Sequence, residues 1–379
     1  MFADRTSRGL LAIVAVLLVA TAVGMVRLWP TPAAADETAL EPRYAGVVRG
    51  VEVLPGDADP VLGVSGDELV LEVELLDGPD AEQMVTIRST ADGLPEMATG
   101  DRIAVQGFAD ADGTTQYYVA DFHRLPALAV LVGLFVLAVL AVGGWHGLRS
   151  LLGLAVSLLI VVRFVVPAIL AGSSPFLVAL VGAMAVMVVT LYLAHGVTPM
   201  TTAAIVGTAA ALLFTVALGV VFIDQGRITG FASEEAGLVR FAVEGIDLRG
   251  LVLAGLIIAA LGVLDDVTVS QASTVFAIHD ADRTLAWRPL FGRAMKVGRD
   301  HIASVVNTLF LAYAGASLVL LVLFSTNAVP VVELVNSEIL AVEIVKTVVG
   351  SLGLIAAVPL TTALAAALAV RRPPPLRLS

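Results

Sequence analysis

The chain has no cysteine among its 379 residues. Disulfides, thiolate nucleophiles and thiolate metal ligands are therefore excluded, and any bound metal must be held by oxygen or histidine ligands. Charged residues are also scarce, at 15%, whereas hydrophobic residues make up 58% of the chain. Because a soluble body of this length needs far more polar surface, the composition predicts an integral membrane protein with the lipid bilayer as its partner. The net charge of -11 argues against nucleic acid as a partner.

Eight apolar segments are long enough to cross a bilayer, which takes roughly 20 residues. They are residues 10–28, 126–144, 150–170, 176–194, 200–223, 248–264, 302–325 and 347–370. Basic residues are concentrated at the N-terminus, in residues 279–299 and at the C-terminus, which lie on one side of the membrane if the spans alternate in direction. The short loops on the opposite side, around Glu234 and around Glu338, are acidic. The positive-inside rule therefore predicts that both termini face the cytoplasm.

Residues 1–29 are predicted to form an N-terminal membrane anchor. Their uninterrupted apolar run of about 18 residues is longer than the roughly 7 to 15 that are usual in a signal peptide. A cleaved signal sequence is the alternative, because residues 33–35 are three alanines of the kind found at cleavage sites. In either case residues 37–123 lie outside the cytoplasm, residues 125–372 form a seven-span membrane domain, and residues 373–379 form a cytoplasmic tail.

Residues 37–123 have low hydrophobicity and many acidic side chains. Five short alternating runs, at residues 44–53, 68–76, 84–89, 102–106 and 116–122, are separated by Gly-Asp and Asp-Gly turns. This pattern predicts a small antiparallel β-barrel, OB-like in character, between the first two spans. Because its surface is acidic, a structural cap or a docking domain for a partner is favoured over nucleic-acid binding. The fold class is thus a mainly α-helical polytopic membrane protein with a small exported β-barrel-like domain.

Two adjacent carboxylates, Asp265 and Asp266, follow directly on the apolar residues 248–264. A carboxylate beside hydrocarbon needs protein, water or an ion to face, so the pair indicates function. We expect the sixth span to end at these residues, with Thr268 and Gln271 in a polar segment where the helix leaves the bilayer. Negative charge at a helix C-terminus is unfavourable, which also calls for a compensating partner.

The expected partner is a polar stripe at the start of the seventh span. Arg299, Asp300 and His301 open this span, and Ser304 and Asn307 continue the stripe at helical spacing. If the sixth and seventh spans are neighbours, this stripe faces the two aspartates. The alternative is that Arg299 snorkels, Asp300 caps the helix and His301 lies among headgroups, which leaves Asn307 unexplained. No cofactor is expected, but a bound cation is allowed, with Asp265, Asp266, Asp300 and His301 as its candidate ligands.

A second polar cluster is predicted on the outer side of the membrane. Asn336 and Glu338 flank a helix start, and Glu343 and Lys346 are spaced to pair on one face of that helix. An interfacial salt bridge is the favoured interpretation of the latter two residues.

A helix break is predicted in the eighth span. Pro359 frees a backbone carbonyl, and Thr361 and Thr362 can form local hydrogen bonds there. Transporters often place such breaks at their binding sites.

Three runs in the membrane part, at residues 262–272, 295–315 and 336–362, resemble the YibE/F family of bacterial membrane proteins. The resemblance covers most of residues 125–370. It implies a multi-pass protein of the bacterial inner membrane, and the family is described as transporters or permeases without an established substrate.

Two functions are compatible with these features. The first is a transporter or permease of an unidentified small molecule or ion, coupled to a cation or proton through a polar site between the sixth and seventh spans. The second is a non-transporting scaffold or sensor whose exported domain binds an envelope protein, and a homo-oligomer is compatible with both. We do not expect an enzyme, because no HExxH motif is present and no serine in the spans has a matching histidine.

Overall fold

The computed structural model describes residues 5–30, 43–56, 67–90, 95–109, 115–232, 234–326 and 330–371. It divides into two compact units, one formed by Met1–Ala33 and Val142–Ser379 and the other by Ala34–Ala141. The alanines predicted as a cleavage site and the tail at 373–379 lie outside the described residues.

Five strands form one antiparallel sheet in the smaller unit. They are β1 (Arg43–Leu54), β2 (Glu68–Leu75), β3 (Met84–Thr90), β4 (Arg102–Ala109) and β5 (Thr115–Phe122), in the order β3-β2-β1-β4-β5. Alternate side chains such as Val48, Leu71, Val73 and Ile103 are fully buried and form its core. The five predicted strands are confirmed, but the predicted barrel is wrong. Edge strands β3 and β5 approach each other without exchanging backbone hydrogen bonds in the described sheet, and a barrel closes only through such a ladder.

The rest of the described chain is helical. The helices are α1 (Arg5–Arg27), α2 (Leu125–Ile160), α3 (Val166–Leu170), α4 (Pro175–His195), α5 (Pro199–Gln225), α6 (Glu234–Ala242), α7 (Leu248–Ala281), α8 (Trp287–Ala316), α9 (Leu318–Thr326), α10 (Val331–Asn336) and α11 (Glu338–Ala369). A π-helical turn, Val161–Val165, connects α2 to α3.

Six helical segments of the described chain are long and apolar enough to cross a membrane. Two of the eight predicted spans, 126–144 and 150–170, lie in a single stretch, Leu125–Leu170, that is broken at Gly144 (φ 51°, ψ −130°). The predicted span 302–325 corresponds to the pair α8 and α9, which is bent by 58° and brings the number to seven if counted as one span. The predicted number of eight is therefore not reproduced, although each predicted segment is helical.

Helices α5, α7 and α11 form the centre of the larger unit, with α4 packed on α7 and α8 packed on α11. Small residues allow the backbones to approach closely, as is common between membrane helices. A methyl group on Gly207 would overlap the hydroxyl of Thr361, and one on Gly353 would overlap the hydroxyl of Thr215. These positions explain why α5 and α11 are so rich in glycine, alanine and threonine.

Helix α7 does not end at the two aspartates as expected. It continues to Ala281, so Asp265 lies near the middle of a helix of 34 residues. The helix continues because no glycine or proline stops it after Asp266, and because Thr268 and Gln271 find hydrogen-bond partners on neighbouring helices. The unfavourable helix-end charge that we inferred for Asp265 therefore does not apply.

Helix α11 runs without a break through Pro359. The hydroxyl of Thr362 donates a hydrogen bond to the carbonyl of Val358 at 2.6 Å, whereas the buried hydroxyl of Thr361 has no partner among the described residues. The expected local hydrogen bonding is thus made by Thr362, and the helix remains continuous.

Candidate functional site

A cavity of about 660 Å³ lies between the second half of α2, helix α4 and helix α7. Most of its wall is apolar, and hydroxyl, imidazole and carboxylate side chains interrupt that wall. The polar lining residues are Ser150, Ser157, Thr190, His195, Asp265, Asp266, Ser270 and Ser273. A largely apolar pocket with a few convergent polar groups is the usual form of a small-ligand site.

One face of α7 provides the carboxylates. Gly262, Asp265, Asp266, Val269 and Ser270 are lining residues of the cavity. They recur at spacings of three and four, which places them on the same side of a helix. The helical spacing therefore places the aspartates at the cavity, whereas the intervening residues Val267 and Thr268 are buried against neighbouring helices.

The two aspartates differ in their surroundings. Asp265 is partly buried, and its Oδ1 atom is inaccessible to solvent and has no hydrogen-bond partner in the described chain. Asp266 is exposed. No lysine or arginine is among the residues described around the cavity, and His195 at its edge is exposed. A buried carboxylate without a partner is unfavourable unless it binds a proton, a cation or water, so Asp265 is the chemically distinctive group of the site.

The π-helical turn Val161–Val165 borders the same cavity through its two terminal residues. Its cause is local: Pro167 has no backbone N–H to donate to Arg163 and its ring would clash with that carbonyl, so the turn widens. The N–H of Val166 donates to the carbonyl of Val161 in the wider turn. Such turns occur frequently at functional sites. Arg163 itself is exposed and does not line the cavity.

The opposite side of α7 carries a buried polar contact with its neighbours. Thr268 and Thr208 of α5 form a hydroxyl–hydroxyl hydrogen bond of 2.6 Å. Gln271 donates to the hydroxyl of Thr362 on α11 at 2.7 Å and to the carbonyl of Ala294 on α8 at 3.2 Å. The predicted site residues Thr268 and Gln271 therefore belong to the packed core and do not line the cavity.

The predicted stripe on α8 does not meet the aspartates. Helices α7 and α8 are neighbours as expected, but they meet at Gln271 and Ala294. The other side of α8 exposes Asp300, Ser304 and Asn307, and Arg299 beside them is exposed too. His301 is partly buried, and its Nε2 atom has no hydrogen-bond partner among the described residues. The reason is that Gly298 faces the core, and Asp300 lies about 200° around the helix from it. The polar site expected between these two helices is therefore not assembled.

No metal site is formed by the candidate ligands. Within the ranges that the structure describes, no group of three or more carboxylate or imidazole side chains is close enough to hold a metal ion. Asp265 and Asp266 face the cavity, whereas Asp300 and His301 belong to α8, away from it. A cation in the cavity would therefore rely on the α7 carboxylates and on hydroxyl or carbonyl oxygens.

The predicted outer cluster is divided between two contacts. Lys346 and Glu343 form the expected salt bridge at 2.8 Å, and both line a second cavity of about 430 Å³. Glu338 begins α11 as predicted, but its carboxylate accepts hydrogen bonds from the backbone N–H groups of Thr229 and Gly230 at 2.8 and 2.6 Å. Asn336 is the last residue of α10 and is not part of either contact.

Comparison with models of protein families matches residues 131–371 to the family described as YibE/F-like protein. The chain belongs to the YibE/F family. The match covers most of the chain, including α4 to α11 and the carboxylate cavity. Searches of curated proteins and of solved structures gave no significant match. Family membership thus supports the helical, membrane-like architecture of this YibE/F protein.

Sequence reasoning missed the residues that face Asp265 across the cavity. Ser157 and Thr190 are isolated hydroxyls in apolar runs, and each donates to a carbonyl four residues earlier in its own helix, at 2.9 and 2.7 Å. This local bonding is common for hydroxyls in membrane helices, so nothing in the pattern of α2 or α4 distinguishes them. The three-dimensional packing of α2, α4 and α7 is what brings them to one cavity.

Proposed function

We propose that this YibE/F protein is a membrane transporter or permease in which Asp265 carries the coupling proton or cation. The observation that carries the proposal is the buried Oδ1 atom of Asp265, which has no hydrogen-bond partner in the described part of the chain and lies at a cavity of about 660 Å³. At 1.5 Å per residue, Asp265 lies about 26 Å from the start of α7 and about 24 Å from its end. An ionisable group far from both ends of a helix that can span a membrane is a typical feature of proton and ion pathways.

The other polar groups favour a cation over an anion. The hydroxyl protons of Ser157 and Thr190 are already donated to backbone carbonyls, so their oxygens have only lone pairs left to offer. With the carboxylates of Asp265 and Asp266, these oxygens are the ligands that hard cations prefer. No lysine or arginine is among the described lining residues to bind an anion, and the imidazole of His195 lies exposed at the edge of the cavity.

We propose further that the protein lies in the bacterial inner membrane, with both termini in the cytoplasm and residues 37–123 outside. This orientation is supported by the basic residues Arg283 and Arg288, by those at both termini, and by the acidic character of the opposite loops. The partners are the lipid bilayer and a small molecule or ion, nucleic acid is not a partner, and no enzymatic reaction is assigned.

Proteoliposomes that contain the full-length protein test the assignment of Asp265. Imposed gradients of H⁺, Na⁺, K⁺ and Mg²⁺ are applied in turn, and flux is followed with entrapped pH- or ion-sensitive dyes. Asp265→Asn should reduce the coupled flux at least tenfold, because the amide cannot release a proton or neutralise a cation. Glu333→Gln is the control, since its carboxylate is exposed on α10 and does not line the cavity, and it should retain the flux of the parent protein. Unchanged flux in Asp265→Asn, in an assay where the parent protein is active, would refute the assignment.

The second candidate is a scaffold or sensor that transports nothing. The five-stranded sheet favours it, because a separate compact unit of this size can bind an envelope protein. Deleting residues 37–123 distinguishes the two functions. Flux that survives the deletion supports the transporter, whereas loss of a co-purified partner in a protein without measurable flux supports the scaffold.

A further inference from the structure

The contacts of α8 with α11 define how the two helices align. Near one end of the contact, the indole N–H of Trp287 donates to the carbonyl of Ala363 at 3.2 Å. Gly298 packs against Val358, and further along the contact Gly350 packs against Leu309. The helices therefore run antiparallel, and Gly298 of α8 lies at the level of Val358 of α11.

This alignment places charged residues of α8 beside the most apolar part of α11. Residues 347–369 of α11 contain no charged side chain and extend about 35 Å, close to the thickness of a hydrocarbon core of about 30 Å. Val358, the partner of Gly298, is at the middle of this stretch. Lys296 and Asp300, each two residues from Gly298, are therefore level with the centre of the membrane.

A polar stripe follows the outer face of α8 at this level. It consists of Lys296, Asp300, Ser304 and Asn307, whose spacings of four, four and three place them on one side of the helix. All four residues are exposed, and within the described chain the side chains of Lys296, Asp300 and Asn307 have no hydrogen bond or ion pair. Facing lipid, such a stripe would leave charges and an amide without partners, which membrane proteins avoid.

We propose that a second copy of this chain covers the polar stripe, in a dimer whose two-fold axis is parallel to the membrane normal. Such an axis keeps both copies in the same orientation and brings each level of α8 opposite the same level of the other copy. Under this symmetry, the opposite charges of the stripe lie about one helical turn apart across the interface. Asp300 of one copy lies about one helical turn from Lys296 of the other, and the amide of Asn307 can both donate to and accept from its counterpart.

Cross-linking through single cysteines tests the dimer, because the natural chain contains no cysteine. In isolated membranes, oxidised Asn307→Cys should give at least fivefold more disulfide-linked dimer than Phe214→Cys. Phe214 is an exposed residue of α5 at similar depth, since its neighbour Thr215 packs against Gly353 while Leu309 packs against Gly350. Ser304→Cys provides a second position on the stripe if Asn307→Cys does not fold.

A second measurement separates a dimer from a water-filled surface. Asn307→Leu should lower the dimer fraction of the full-length protein at least threefold in native mass spectrometry, and Phe214→Leu should leave the fraction unchanged. Equal cross-linking of the stripe and control positions would overturn the proposal. Fast labelling of Asn307→Cys by a membrane-impermeant thiol reagent, without cross-linking, would overturn it as well, because the stripe would then face water.

Discussion

Gly298 of α8 occupies a position where a single methyl group should separate three helices. An added Cβ would lie 2.6 Å from Cγ1 of Val358 and 3.0 Å from both amide heavy atoms of Gln271. Carbon atoms prefer separations of about 3.5–4.0 Å, so the new methyl group would be roughly 1 Å too close to Val358. Overpacking of this kind costs about 1–3 kcal/mol, and the better helix propensity of alanine offsets up to about 1 kcal/mol. We predict a net loss of about 1–2 kcal/mol for Gly298→Ala.

Gly292→Ala is the matched control, because it changes the same helix at a position with no atom within 4 Å of the new methyl group. It should leave stability unchanged or raise it by up to about 1 kcal/mol. Val358→Ala removes the methyl group that Gly298→Ala would meet, so the double variant should recover at least about 1 kcal/mol relative to the sum of the single variants. The free energy of unfolding is measured by reversible titration of the detergent-solubilised protein with SDS.

Two outcomes would refute this reasoning. Equal effects of Gly298→Ala and Gly292→Ala would show that α8 does not pack on α11 through Gly298. If the loss of unfolding free energy in the double variant equals the sum of the losses in the two single variants, Val358 is not the residue that contacts Gly298. Either result would also remove the alignment of α8 and α11 on which the level of the polar stripe depends.

Two further predictions concern Gln271 and Tyr117. Gln271→Leu keeps the side chain buried but removes its hydrogen bonds to α8 and α11. Since such bonds contribute about 0.6 kcal/mol each in membranes, the variant should lower the free energy of unfolding by about 1 kcal/mol in the same SDS titration. Burial, together with a hydrogen bond to Asp80, raises the pKa of Tyr117 from 10.0 to about 12. The folded chain therefore keeps this proton at a pH where the unfolded chain releases it, so this contribution to stability should be complete below pH 10 and be lost as the pH rises to about 12. Thermal melts of Tyr117→Phe across this range should lack that loss, and equal pH profiles would contradict the prediction.

Local patterns predicted the elements of this protein well. The alternation of apolar and polar residues around Val48, Leu71 and Ile103 identified strands, and the helix start at Glu338 and the pairing of Glu343 with Lys346 followed from spacing within a few residues. These features depend on neighbours in the chain, which a sequence displays directly. The length of α7 does not follow from the local pattern, because polar residues after Asp265 indicate the edge of a membrane, whereas Thr268 and Gln271 form hydrogen bonds with other helices.

Local patterns do not predict features that depend on residues far apart in the chain. Closure of the sheet depends on whether β3 and β5 pair, and no local signal reports that pairing. The prediction that Asn307 faces Asp265 is not reproduced, for a related reason. Helical periodicity shows which residues share a face, but it does not show which neighbour covers that face, and here α11 covers the side of α8 that contains Gly298.

The polar residues of α7 show why contacts are needed to recognise a site. Asp265, Thr268 and Gln271 lie within two turns and are equally unusual in an apolar helix. Thr268 finds its partner 60 residues earlier in the chain and Gln271 finds one 91 residues later, so both are explained by packing. Asp265 has no such partner among the residues that the structure describes, and it faces a cavity. A membrane protein has little reason to keep an unpaired carboxylate for stability alone, so the group that packing leaves unexplained is the one on which the proposed transport function rests.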